Sequence, residues 1–91
     1  MVVPILVNTS ALWGLVDIRS THNFVTIGWA QRLGWVLHPE RSQITIANGA
    51  RMPCKGRCTV VGVSIDGEQF KLDFYVIDLA GYDVVLGTGW L

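Results

Sequence analysis

Apolar and polar positions in this chain change over in short runs, and the runs predict strands rather than helices. Residues 2–7 and 11–16 are apolar stretches separated by Asn8-Thr9-Ser10, a hairpin signal. Pro4 has no N–H to give to a ladder, so it predicts that the first run lies at a sheet edge. After Phe24 the spacing changes. Ile27, Ala30 and Leu33 recur every third residue, with Thr26 placed to cap the start and Gly34 to stop the end. This predicts a short helix, weakened by Gly28. Strand patterning then returns.

Gln43-Ile44-Thr45-Ile46-Ala47 alternates at period two and runs into Asn48-Gly49, whose residues both tolerate the positive φ of a tight hairpin turn. The return, Ala50-Arg51-Met52-Pro53-Cys54, is interrupted by proline, which predicts a hairpin projecting from a sheet rather than lying within one. Val61, Val63 and Ile65 alternate up to Asp66-Gly67, and Phe70, Leu72, Phe74 and Val76 answer on one face of the returning strand. Residues 83–87 read as a short buried strand ending at glycine, and Thr88-Gly89-Trp90-Leu91 as the start of a helix left incomplete. The sum is an all-β class, mainly β with one short helix and about seven strands at the spacing of a closed or partly closed sheet.

Composition narrows the function classes. The 91 residues predict a single domain, near the lower size limit for an adequate core. With 51% apolar and 15% charged residues the chain is too apolar for disorder, and part of its surface is expected to be covered in an oligomer. Seven basic residues balance seven acidic ones, so no basic footprint points to nucleic acid. No apolar run is long enough to span a bilayer, and residues 1–7 lack the basic n-region of a signal peptide. Asn8-Thr9-Ser10 fits a glycosylation sequon, but reads as a turn. Cys54 and Cys58 form no disulfide framework, and with His22 and His38 they make a poor zinc pattern. We expect reduced thiols in an intracellular, cytoplasmic setting, with no metal and no cofactor.

One residue carries candidate chemistry. Asp17 ends the apolar run Leu15-Val16, where a carboxylate is costly unless hydrogen-bonded, paired or used. It is either a turn cap or a functional acid. Asp83 reads as a strand-end carboxylate, and His22 and Asn23 as groups that hydrogen-bond locally at the turn. Ser20-Thr21-His22 lacks the elbow and triad order of a serine hydrolase. The tryptophans other than Trp90 read as core or interface residues.

Three blocks, taken together, carry a resemblance. Leu15-Val16-Asp17-x-x-Ser20-Thr21-His22-Asn23-Phe24, then Ala47-Asn48-Gly49, then Gly81-Tyr82-Asp83-Val84-Val85-Leu86-Gly87-x-x-Trp90-Leu91 resemble, in order and in register, the retropepsin-like aspartic proteases of Ty3/gypsy-type retrotransposon polyproteins. The resemblance implies an acid-protease-like closed barrel, one retropepsin half per chain, acting as a homodimer on an extended peptide or polyprotein. It implies that Asp17 is the catalytic carboxylate, that Ala47, Asn48, Gly49 and Ala50 belong to a flap over the substrate, and that Val85, Leu86 and Gly87 pack beneath the active-site loop. Trp90 belongs to the last matched block, and the chain ends where the family's final helix begins.

The chain departs from that pattern inside the turn. The family has Asp-Ser/Thr-Gly-Ser/Ala where this chain has Asp17-Ile18-Arg19-Ser20, followed by Thr21. Ile18 has no hydroxyl to bond across a dimer, and Arg19 replaces a glycine whose missing Cβ allows close approach. Arginine beside the dyad also favours the charged form of both aspartates. The leading expectation is an aspartic endopeptidase of impaired activity. The alternative is an inactive dimerisation or peptide-binding module on the same fold, and a cellular ubiquitin-linked relative is the third reading.

Overall fold

The structure, a computed structural model, describes residues 1–45, 49–79 and 81–88. Six strands close into a barrel in the order β1 (Val2–Val7), β2 (Ser10–Val16), β8 (Val84–Leu86), β3 (Phe24–Thr26), β7 (Glu68–Ile77) and β6 (Gly56–Ile65). The remaining pair, β4 (Gln43–Thr45) and β5 (Arg51–Pro53), form a separate two-stranded sheet. The hairpin with proline in its return strand therefore stands apart from the barrel, as its sequence predicts. Its turn residues Ile46, Ala47 and Asn48 lie outside the described residues.

Turn chemistry sets the barrel's hairpins. Asn8 adopts φ 54°, and β2 already begins at Ser10, so the first turn is one residue tighter than its polar signal. Asp66 and Gly67, at φ 52° and 86°, both take the left-handed conformation that twists a two-residue hairpin to match its strands. The β6–β7 ladder slips between Cys58 and Val61, where Thr59 and Val60 oppose Asp73 alone. Val60 sits at φ 53°, an unusual place for a β-branched residue, and its N–H donates to Asp73 Oδ1 at 2.8 Å. Pro4 is not at an open edge. β1 pairs with β2 along its length and with β6 at Ile5 and Leu6, leaving Pro4 just beyond the second ladder.

The helix α1 (Ile27–Arg32) ends as its sequence predicts. Gly34, at φ 69°, donates to the Gln31 carbonyl and Trp35 to that of Ala30, a paired C-terminal closure of the helix. Its start differs. Thr26 occupies the cap position without a side-chain cap bond, and its backbone N–H goes instead to the Asp83 carbonyl.

The barrel interior is filled by alternate residues of the strands, among them Ile5, Leu12, Val63, Ile65, Phe74 and Leu86, all at most 3% exposed. Ala30 seats α1 on this core, and Trp35 stacks tilted on Phe74 at 5.2 Å. Trp13 is not a core residue: it points outward, 60% exposed, opposite Pro4. Cys54 and Cys58 are free and buried, and burial pushes the Cys58 thiol above its ordinary pKa, which keeps it a packing group. No helix is long and apolar enough to cross a membrane among the described residues.

Candidate active site

Strand β2 delivers Asp17 to the end of the barrel, and strand β8 fixes it there. Gly14, Leu15 and Val16 run parallel to Val84, Val85 and Leu86, and the ladder finishes with the Asp17 N–H on the Leu86 carbonyl at 2.9 Å. The chain then turns tightly, Ser20 N–H returning to the Asp17 carbonyl at 3.1 Å. Ser20 Oγ donates to the His22 carbonyl at 2.8 Å, and the Ser20 carbonyl accepts the Thr88 N–H at 2.8 Å. Residues 17–22 are thus held from within and from the segment that follows β8.

Gly87 lies against this turn. A Cβ there would stand 2.6 Å from the Ser20 carbonyl oxygen and 2.5 Å from that of His22, closer than side-chain carbons come to backbone oxygens. Asn23 completes the fastening. Buried to 7% exposure, it accepts the Gly87 N–H on Oδ1 at 2.9 Å and donates from Nδ2 to the Asp73 carbonyl at 3.2 Å. The expectation that Asn23 bonds locally is therefore corrected: its side chain joins β8 to β7 across the barrel end. Nothing in its local sequence gives this away, because both partners are remote in the chain. His22 sets its ring edge-on to Tyr75 at 5.1 Å.

The Asp17 side chain is 13% exposed and forms an ion pair with Arg19, while the N-terminal ammonium adds a weaker attraction. Oδ1 accepts the Arg19 backbone N–H at 3.0 Å and the Arg19 Nε at 3.2 Å. The backbone bond is the larger influence holding Asp17 below its ordinary pKa; desolvation opposes it, and the Arg19 side chain adds to the lowering. Both replacements in the turn are visible here. Arg19 turns back onto the acid, while Ile18 projects into solvent, 72% exposed.

A cleft of about 830 Å³ opens above this turn. Asp17, Arg19, Ser20 and Thr21 line its floor; Leu15 and Val85 form part of its wall. Strand β4 of the projecting hairpin faces it through Gln43, Ile44 and Thr45, and Tyr82 and Tyr75 close other sides. Of the residues expected in the flap, Gly49 and Ala50 are exposed at the far end of the hairpin, and Ala47 and Asn48 lie outside the described residues. Leu86 does not reach the cleft, being fully buried in the core. Among the described residues no group of three or more His, Cys, Asp or Glu side chains could hold a metal ion.

Known proteins share this fold. Over its full length the chain superposes on the retroviral protease-like domain of Ddi1 from Leishmania major, with a TM-score of 0.76, 22% identity and 74% of that chain covered. It superposes equally on the EIAV protease in complex with the inhibitor HBY-793, with a TM-score of 0.75, 19% identity and 84% of that chain covered. At these identities the likeness is one of fold. Comparison with curated proteins gives no match. The sequence itself is matched from residue 1 to residue 91 by the family of retroviral aspartyl proteases, and to that family this chain belongs.

Proposed function

We propose that the chain is one subunit of a homodimeric aspartic endopeptidase that cuts an extended peptide, with Asp17 as its contribution to a shared pair of carboxylates. The observation that carries this reading is the placement of Asp17: a largely buried acid on the floor of a cleft, on a turn fixed by β8, Thr88 and Asn23. Two such acids a few ångströms apart cannot both ionise. One keeps a proton and polarises the peptide carbonyl, while the other takes a proton from the attacking water. The resemblance of the three sequence blocks makes a Ty3/gypsy-type polyprotein the natural substrate.

Arg19 limits that chemistry. Its two bonds to Oδ1 favour the ionised acid, whereas the shared pair needs one proton retained. We therefore expect weak turnover from the chain as it stands. The same ion pair favours a second reading, a peptide-binding module without catalysis.

Cleavage of a polyprotein-junction peptide at mildly acidic pH separates the two. Hydrolysis by the unaltered chain that disappears in Asp17→Asn establishes the peptidase. Hydrolysis confined to the Ile18→Ser/Arg19→Gly variant identifies a silent site on a competent scaffold. None in any variant leaves binding alone.

A further inference from the structure

Arg19 gives Asp17 only one edge of its guanidinium. Nε donates to Oδ1 at 3.2 Å, while the two Nη groups meet no acceptor among the described residues. The side chain is 72% exposed and still lines the cleft. Among the described residues lining it, Asp17 is the one carboxylate and Arg19 the one guanidinium, and no lysine is present. The other lining groups are apolar, as at Leu15, Ile44 and Val85, or neutral and polar, as at Gln43 and Thr45. A peptide lying there meets a cationic fork whose outer pair of donors is open.

We infer that the cleft selects peptides bearing a carboxylate side chain close to the residues seated over Asp17, held by the two Nη groups of Arg19. This rests on the reading of the cleft as the seat of an extended peptide. The planar fork matches a carboxylate with two parallel bonds, which an ammonium or a neutral amide cannot reproduce. Asp17 takes Nε on Oδ1 and neither Nη group, so in this arrangement both Nη groups face the cleft without a bond to the acid. A basic peptide side chain gains less: the charge of the acid it would seek is already partly offset by Arg19. Alternate residues of an extended peptide face the same wall, so the preference falls on one position or on two positions of one strand face. A glutamate within one or two residues of the bond above Asp17 is in reach.

The test uses fluorophore-labelled octapeptides of alanine and leucine in which a single Glu, or Gln as its neutral match, is walked through the positions. Binding to the unaltered chain is read by anisotropy at pH 7 and low salt, and cleavage by mass spectrometry of the same samples. The expected result is about tenfold tighter binding of Glu over Gln at one register, the effect of one charge-assisted pair. Arg19→Gln should abolish that difference, and Arg19→Lys, keeping charge without the fork, should retain part of it. Equal binding of Glu and Gln peptides overturns the inference and leaves the peptidase reading standing, as does a preference that survives Arg19→Gln. A Glu preference without cleavage supports the inference and tells against catalysis. Failure of every peptide to bind overturns both.

Discussion

Asn23 and Gly87 are joined side chain to backbone, Asn23 Oδ1 accepting the Gly87 N–H at 2.9 Å across 64 residues of chain. The same amide donates to the Asp73 carbonyl, so one buried side chain satisfies an acceptor on β7 and a donor on the residue just after β8. Asn23→Ala would leave the Gly87 N–H and the Asp73 carbonyl without that partner. The expected loss is about 2–4 kcal/mol in urea unfolding, with Asp17 turn amides exchanging faster. A loss within experimental error would show that water replaces the amide at no cost.

Gly87 admits no side chain for a different reason. In Gly87→Ala the new methyl meets two backbone oxygens, which cannot rotate away. The turn must move, at a cost of about 1–3 kcal/mol. The chemical shifts of Ser20 and His22 should change with it, and an unchanged spectrum would contradict the packing described above.

Titration of Asp17 should separate the two parts of Arg19. The folded-state pKa lies below the ordinary carboxylate value, so its stabilising contribution is complete above that value and is lost as pH falls through the folded-state pKa. Arg19→Gly removes the guanidinium but keeps the backbone N–H, the larger influence. Carbon-13 NMR of the carboxyl should therefore show a partial rise in pKa, still short of a free aspartate. A full return would assign the depression to the side chain.

Val60 holds a backbone conformation that suits glycine. In Val60→Gly the N–H bond to Asp73 can persist while the left-handed strain disappears. The side chain is 66% exposed, so little packing is lost. The relief exceeds the extra chain entropy of glycine, and a gain of about 0.5–1 kcal/mol is expected by thermal or urea unfolding. Destabilisation would place the value of this residue in contacts of its side chain.

The sequence was informative where one residue type has one physical use. Asp66-Gly67 announced its hairpin through positive φ, Gly34 its helix end, and Pro53 a strand that could not sit inside the barrel. It was silent on β3. Phe24 and Val25 are buried and paired with both β7 and β8, Thr26 is half-buried, and so short a strand shows no alternation. The parallel pairing of β2 with β8 is equally invisible, because nothing local encodes a partner some 70 residues away. The site was legible to the same extent. Asp17 stood out as an acid ending an apolar run, while Asn23 looked like any polar turn residue.

Strand β8 is three residues long, yet it is held by β2 on one side and β3 on the other. The turn at Asp17 draws its support from Leu86, Gly87 and Thr88. In the chain this turn precedes its support by some 70 residues, so during synthesis the contacts that hold the acid cannot form before residues 84–88 have been added. A chain ended at Asp83 should show Asp17 amide relaxation typical of a loose loop, with the longer chain as its rigid reference. The order of translation thereby delays the site until the barrel can close around it.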